Sequence, residues 1–470
     1  MAPATSSRAG SGHSRALLRL ALPIMAGTLV ETLYNLTDSF FLGKLGAAEV
    51  SAPSIAFNLV FLFVVLGTGL AGAATTLIAQ AKGRGDAKAM ETGLNQAAFY
   101  LGAFSIALAA LGSLLAGPLL RLLGTPPELF GYARSYLSIV LLGLPASFAY
   151  FLLQASLTAV GDAFTPLAVH LLAVGANVLL DPLLIYGLGP FPRLGVAGAA
   201  IATVASQALG AFLSIRILAA GRGGLRLRLA AMRPRADSFR LLMRIGLPSS
   251  IGQALSALGF TVLQGAVNSF GTSAIAAFGV GNRIVSLFDL PAHGLASATT
   301  SLVGQAIGAG EPARARRIVR SGFLACLAFL VPALSFAFFY GSSLVRFFVA
   351  DPEAMRLGDI MFKIVSPSVL LFGLYCVATG AFQGAGDTRI VMLLAVLRLW
   401  GIRVPLAYGF AYLFRLGPRS IWYAMFLSNA ATAAVGIAYY RKGDWLRALE
   451  PRPAPFRGRA RPGPRGMGPG

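Results

Sequence analysis

The chain has 470 residues, of which 56% are hydrophobic and only 12% are charged, whereas soluble domains carry roughly 25% charged residues. The 39 Lys and Arg residues outnumber the 17 Asp and Glu residues, which gives a formal net charge of +22. Low charge and abundant apolar residues exclude a mainly disordered chain, and the two cysteines, Cys326 and Cys376, are too few for a disulfide scaffold. The composition indicates a polytopic membrane protein.

Twelve stretches are long and apolar enough to cross a bilayer, since a spanning helix needs about 20 mainly apolar residues. Continuous rather than alternating hydrophobicity argues against a β-barrel, and the first stretch is too long for a cleaved secretory signal. We therefore predict an all-α polytopic membrane protein with about twelve transmembrane helices. The predicted spans are 17–41, 52–81, 94–116, 132–158, 165–186, 196–219, 241–268, 276–305, 320–340, 360–382, 391–413 and 420–440.

The distribution of Lys and Arg predicts the orientation, because cytoplasmic loops carry the excess of positive charge. With both termini inside, the cytoplasmic segments hold 26 Lys and Arg residues and the outer loops hold eight. Arg415 and Arg419, which share one short outer loop, are the main exception. We predict a multi-pass protein of the inner (plasma) membrane with both termini in the cytoplasm.

An internal duplication divides the chain. The segment that begins at Gly69 recurs from Gly294, and Gln80 recurs as Gln305 with the same difference in residue number, which we call the repeat offset. Each half then contains six spans, so that both halves enter the membrane from the same side, as parallel repeats do. Two such lobes suit alternating access around a central cavity. The predicted organisation is a disordered N-terminus (1–14), an N-lobe (15–220), a cytoplasmic linker (221–240), a C-lobe (241–440) and a disordered basic tail (441–470).

Polar residues form stripes on two predicted spans of the N-lobe, where ionisable groups are costly and indicate function. Spacings of three, four and seven residues place the members of each stripe on one helix face. The stripes are Glu31, Tyr34 or Asn35 and Asp38 in span one, and His170, Asn177 and Asp181 in span five. We interpret them as the walls of one wet pocket. Pro23 near the start of span one is a natural bend point.

The two aspartates of these stripes have no acidic counterpart in the second half of the repeat. The positions one repeat offset after Asp38 and Asp181 are Leu263 and Leu406, which predicts ion chemistry in the N-lobe alone. The competing interpretation is that such polar groups only satisfy each other in helix packing. For Asp289 in span eight, an internal pair with Arg283 is the favoured interpretation.

Other motifs point to no enzyme and no resident cofactor. A GxGxxG sequence at Gly67–Gly72 lies within an apolar span, where small residues favour helix packing rather than dinucleotide binding. No GxxxxGK[ST] or HExxH sequence occurs, and the three histidines are too scattered for a metal site. Because the arginines lie in loops beside spans, they do not predict a nucleic-acid partner.

These residues resemble a known family. The Leu22-Pro23 start of span one, Asp38, the Asn177-to-Pro182 stretch and the paired loops after Gln80 and Gln305 are similar to the multidrug and toxic compound extrusion (MATE) transporters, over about residues 15–440. Acids in spans one and five, with none in span seven, resemble the DinF-like branch. The resemblance implies a V-shaped pair of six-helix lobes that exports amphipathic or cationic small molecules in exchange for H+ or Na+.

The same resemblance implies the site residues. Asp38, Asn177, Asp181 and Thr203 would bind the coupling cation, H+ or Na+, and no other metal or cofactor is implied. The residues implied to line the adjacent substrate cavity are Glu31, Tyr34, Asn35, Tyr136, Gln154 and His170. Membrane lipid is the remaining expected partner, and the expected state is a monomer.

Two alternatives remain. A lipid-linked sugar or lipid flippase would share the two-lobe architecture, but it would need several basic residues in the cavity, for which Lys363, Arg398 and Arg403 are the candidates. An intramembrane enzyme would need a nucleophile–base or metal constellation, and the sequence presents none.

Overall fold

A computed structural model describes residues 6–348 and 351–447, and these two ranges form helices and short loops without a β-strand. The N-terminal half contains α1 (Ser6–Gly43), α2 (Ala47–Gly83), α3 (Ala87–Leu122), α4 (Pro127–Leu142), α5 (Leu144–Ala159), α6 (Phe164–Tyr186) and α7 (Val196–Ala219). The C-terminal half contains α8 (Ala236–Asn268), α9 (Thr272–Gly308), α10 (Pro312–Phe339), α11 (Gly341–Arg346), α12 (Pro352–Ala385), α13 (Thr388–Val396), α14 (Val404–Tyr408) and α15 (Arg419–Lys442). The predicted all-α polytopic class is confirmed.

The helices account for the twelve predicted spans. Helices α4 and α5 meet at a 46° bend and together form span four, and proline in the first turn of α5 interrupts the hydrogen-bond ladder there. Two π-helical segments, Leu397–Arg403 and Gly409–Leu413, join α13 and α14 into one span of 26 residues. By length and apolarity, up to eleven helices of the described ranges can cross a membrane. The remaining predicted span, 276–305, lies within α9, which is 37 residues long and falls outside that count.

The two halves exchange the N-terminal segments of their leading helices. Leu17 and Leu20 of α1 are buried in the apolar core formed by the C-terminal half. Their equivalents one repeat offset later, Leu242 and Ile245 of α8, are buried in a core of the N-terminal half. The predicted lobe boundaries at 15 and 241 therefore follow the sequence repeat, while the packing crosses them in both directions.

The predicted disorder of the chain ends is partly wrong. Helix α1 already begins at Ser6, inside the segment 1–14, and residues 1–5 lie outside the described ranges. In the segment 441–470, Lys442 ends α15 and the indole of Trp445 is fully buried against Phe382. Residues 448–470 lie outside the described ranges.

The predicted linker is held against α3 by two adjacent amide side chains. Asn95 donates to the Arg226 carbonyl at 3.0 Å and accepts from the Arg228 backbone N–H at 2.8 Å. Gln96 donates to the Arg233 carbonyl at 2.7 Å. Side chains of α3 thereby satisfy part of the linker backbone. Two linker arginines also form ion pairs, Arg222 with Asp162 at 3.2 Å and Arg228 with Glu91 at 3.0 Å.

Candidate cation site and central cavity

Asn177 brings the two aspartates of the N-lobe together. In the amide orientation that satisfies its surroundings, its nitrogen donates to Asp181 Oδ2 and to Asp38 Oδ1, both at 3.1 Å, and its oxygen accepts from the Thr203 backbone N–H at 3.3 Å. Asn177 and Asp181 are fully buried, and Thr203 is 5% exposed. Three helices, α1, α6 and α7, thus place the four predicted cation-site residues in one cluster.

Two tyrosines close this cluster. Tyr34, one turn before Asp38 on α1, donates its hydroxyl to Thr203 Oγ1 at 3.1 Å. Tyr136 of α4 lies close enough to interact electrostatically with both Asp38 and Asp181. Both residues therefore belong to the carboxylate cluster rather than to a separate cavity.

Glu31 and His170 form a second polar contact nearer the start of α1 and α6. Glu31 Oε2 lies 3.6 Å from His170 Nε2, with the glutamate side chain 60% exposed and the histidine 14% exposed. The imidazole stacks on Tyr150 with ring centroids 5.3 Å apart. By contrast, the exposed Asn35 donates to the Glu31 backbone carbonyl at 2.9 Å, so this side chain satisfies its own helix.

A cavity of about 610 Å³ lies between the two lobes. Its walls come from α2 and α5 on one side and from α8, α9 and α12 on the other, with the segment around Met392 to Arg398 completing them. Of the six residues predicted to line the substrate cavity, Gln154 is the one that lines this space. Among the three basic residues considered for a flippase, Arg398 alone lines it.

The predicted pairing of Asp289 with Arg283 is wrong. Arg283 is exposed, whereas Asp289 lines the central cavity together with Arg398, and Asp289 Oδ1 has no hydrogen-bond partner among the described residues. Arg398 comes from a distant span, so spacing along α9 could not reveal it. Within the same ranges, no group of three His, Cys, Asp or Glu side chains is arranged to hold a metal ion.

The two lobes are joined at one end by four buried or partly buried hydrogen bonds, which we call the inter-lobe seal. Two bonds run from the N-lobe to the C-lobe and two run back, and the repeat offset relates the donors and acceptors of the two pairs. The bonds are Thr76 Oγ1 to the Gln383 carbonyl (2.9 Å), Gln80 Nε2 to the Gly384 carbonyl (3.0 Å), Ser301 Oγ to the Thr158 carbonyl (2.7 Å) and Gln305 Nε2 to the Ala159 carbonyl (2.8 Å).

Glycine permits this close contact on both sides. The backbone of Gly83 approaches the Gln305 carbonyl, and the backbone of Gly308 approaches the Gln80 carbonyl, so closely that a Cβ at either position would overlap the oxygen. The sequence repeat contains these glycines and glutamines, but their contact across the lobes needed the structure. The seal closes the end of the central cavity that lies beside the loops after α2, α5, α9 and α12.

Comparisons with known proteins agree with this architecture. The MatE family profile matches residues 23–183 and 248–409, once in each half, and the two matches start one repeat offset apart. The chain is 30% identical over 430 residues to the probable multidrug resistance protein YpnP of Bacillus subtilis, covering 91% of this chain and 95% of that protein. It is 27% identical over 427 residues to a FAD transporter of Shewanella oneidensis, covering 91% and 93%.

A solved structure gives the same fold. It is described as the outward-facing conformation of a multidrug resistance MATE family transporter of the MOP superfamily, and it superposes with a TM-score of 0.85 at 23% identity, covering 96% of this chain and all of that one. The predicted two-lobe arrangement is thereby confirmed. The chain belongs to the MATE family of multidrug efflux transporters, and it is a multi-pass membrane protein with small-molecule substrates.

Proposed function

We propose that the chain is a secondary antiporter, not an enzyme, that exports amphipathic and cationic compounds in exchange for H+ or Na+. The observation that carries this proposal is the sharing of the Asn177 amide by Asp38 and Asp181 inside the N-lobe. Two carboxylates in such a poorly solvated site cannot both remain ionised without cost. Binding of a proton or Na+ removes that repulsion, so the site favours a bound cation.

The Asn177 side chain suits a site that alternates between empty and occupied. With its nitrogen toward the acids, it stabilises two negative charges. Rotation of the amide would present its oxygen instead, which can accept from a protonated acid or coordinate Na+. If the cation and the exported compound favour opposite-facing states, their binding free energies are linked and exchange follows.

The inter-lobe seal supports alternating access. Its four bonds occupy the end of the cavity beside the basic loops 82–92 and 306–320, which the Lys and Arg distribution assigns to the cytoplasm. We propose that this state is closed to the cytoplasm and that the seal opens in the other state. Pro23, inside the continuous helix α1, cannot donate a backbone hydrogen bond and is the proposed bend point. Transport by Pro23→Ala at the wild-type rate would contradict that role.

The experiment is drug efflux from proteoliposomes under an imposed pH gradient or an imposed Na+ gradient. We expect Asp38→Asn and Asp181→Asn to reduce gradient-driven export to the passive leak, because neither amide can exchange a proton or balance Na+. The matched control is Asp237→Asn, which removes an exposed carboxylate in the first turn of α8 and should export as the wild type does. Wild-type export by both site variants, under either gradient, would refute the site.

The remaining assignments are proposals of the same kind. The inner membrane, the cytoplasmic termini, the monomeric state and the surrounding lipid follow from the charge distribution and the family. Placement in the DinF-like branch rests on carboxylates in α1 and α6, with Gln253, Gln264 and Asn268 in α8 where another branch carries acid. Labelling of single cysteines in inverted and right-side-out vesicles would test the topology.

A further inference from the structure

Arg398 is a buried cation on the wall of the central cavity. Its side chain is 7% exposed and lines the central cavity. Its Nε has no hydrogen-bond partner, and the residue forms no ion pair, within residues 6–348 and 351–447. An ionised group inside the membrane is costly and therefore indicates a function.

Two aromatic rings of α12 lie against the guanidinium of Arg398. The carbon of the guanidinium lies 4.7 Å from the ring centroid of Phe372 and 5.1 Å from that of Tyr375, both on α12. Such cation–π contacts stabilise the charge. Because Arg398 lines the cavity and its Nε bonds to no described residue, its N–H groups remain available for a planar acceptor such as a carboxylate or phosphate.

The charge balance of this wall of the C-lobe is also positive. Arg403, from the same π-helical segment as Arg398, is 2% exposed and is bound by neutral partners, Ser428 at 2.9 Å and Asn429 at 2.6 Å. Asp289 is the acidic group near the two arginines, and it leaves one positive charge uncompensated. The N-lobe site has the opposite sign, with Asp38 and Asp181 in contact with an uncharged amide.

We propose that Arg398 binds an acidic group, carboxylate or phosphate, of the exported compound, whose aromatic body packs in the cavity beside Phe372 and Tyr375. The compounds carried would then include aromatic anions and zwitterions, with Asp289 facing the cationic end of a zwitterion. This inference names part of the substrate class of the proposed exporter. Its claim that the bound compound is exported rests on that proposed function. Binding itself does not depend on the cation site.

The test uses the full chain in nanodiscs of phosphatidylcholine, with 1-pyrenebutyrate as the anionic probe and its methyl ester as the neutral match. Equilibrium binding is followed by fluorescence anisotropy without any gradient. We expect Arg398→Gln to weaken 1-pyrenebutyrate binding by about tenfold or more, since a charge-assisted bidentate contact is lost. Ester binding should change little, and Arg398→Lys should restore part of the anion affinity.

Three control variants distinguish this anion site from the protein surface and from the cation site. Lys363→Gln removes a cation that pairs with Asp359 at 2.7 Å outside the cavity, and should leave both probes unaffected. Asp289→Asn should tighten anion binding, because it removes a negative charge near Arg398. Asp38→Asn should still bind 1-pyrenebutyrate, so that failure of the cation site and failure of the anion site give different results.

Three outcomes would overturn the inference. Equal weakening of acid and ester by Arg398→Gln would show that the arginine only maintains the wall. Unchanged binding of both probes by Arg398→Gln would show that the guanidinium does not contact the cargo. Loss of 1-pyrenebutyrate binding in nanodiscs that contain phosphatidylglycerol would assign Arg398 to a lipid headgroup instead.

Discussion

The inter-lobe seal predicts a specific change in the balance between closed and open states. Gln80→Ala removes the bond to the Gly384 carbonyl, and Gln305→Ala removes the bond to the Ala159 carbonyl. When this end opens, water satisfies the carbonyls, so each substitution costs the closed state about 1–1.5 kcal/mol. The double variant should therefore shift the closed–open ratio by roughly 30-fold or more toward open, since about 1.4 kcal/mol is a factor of ten.

The measurement is the distance between two spin labels on the sealed end. Lys88 in the first turn of α3 and Ala313 in the first turn of α10 are exposed and are equivalent positions of the repeat. Both native cysteines are buried, which limits labelling at other sites. Pulsed electron–electron double resonance should show a longer-distance population in the double variant, and intermediate populations in the two single variants.

A matched variant tests whether the seal is responsible. Gln96→Ala also deletes a glutamine that bonds to a backbone carbonyl, that of Arg233 at 2.7 Å, but this bond joins α3 to the linker. It should leave the label distance unchanged. A wild-type distance distribution in the variant that combines Gln80→Ala with Gln305→Ala would show that the seal bonds do not decide which state is populated.

Two further predictions concern stability. Partial burial would raise the pKa of Asp162, but hydrogen bonds from Thr165 and Arg222 outweigh the effect of burial and lower the pKa. The contribution of Asp162 to folding stability is therefore complete above its unfolded-state pKa. It is lost as the pH falls through its folded-state pKa. Asp162→Asn should lower Tm at pH 7 by the equivalent of less than about 1 kcal/mol, and a Tm difference that persists undiminished in acid would contradict this. Asn429→Ala strands a buried N–H of Arg403 and should destabilise the protein by about 3 kcal/mol in thermal unfolding; an unchanged Tm would contradict it.

Much of the fold could be predicted because membrane crossing imposes length and apolarity on each helix. The spans and their approximate number follow from that constraint, and the repeat follows from residues that recur at a constant offset. The bend between α4 and α5, the π-helical turns around Arg398 and the exchange of N-terminal segments at Leu17 and Leu242 could not be predicted. They depend on which helices pack together, and hydrophobicity carries no information on that.

The site divides in the same way. Asp38 and Asp181 could be predicted because ionisable groups in a span are rare and costly. The place of Asn35 could not, because a polar residue at mid-span satisfies its own helix or faces a cavity with little difference in sequence; Asn35 does the former and Gln154 the latter. The prediction for Asp289 failed for another reason: its true neighbour Arg398 belongs to a distant span of the same lobe.

In the proposed mechanism, the residues that the repeat preserves form the contact that opens, and the residues that it does not preserve bind the ligands. At the seal both halves have glutamine, at Gln80 and Gln305, and the bonds they make are reciprocal. In the proposed mechanism the two lobes separate at the seal. Because each lobe donates hydrogen bonds to the other, the seal opens only when both pairs of bonds break. Duplication supplies those contacts directly.

The charged residues, unlike the glutamines of the seal, are not shared by the two halves. The equivalents of Asp38 and Asp181 are Leu263 and Leu406, and the equivalents of Asp289 and Arg398 are Val64 and Ala173. Each lobe thus carries charges that its partner lacks, negative in the N-lobe and net positive in the C-lobe. In the proposed exchange the cation and the cargo use separate sites, whereas duplication alone would have produced identical ones. The divergence of the halves at these four positions fits the proposed use of one lobe for the cation and of the other for the acidic group of the cargo.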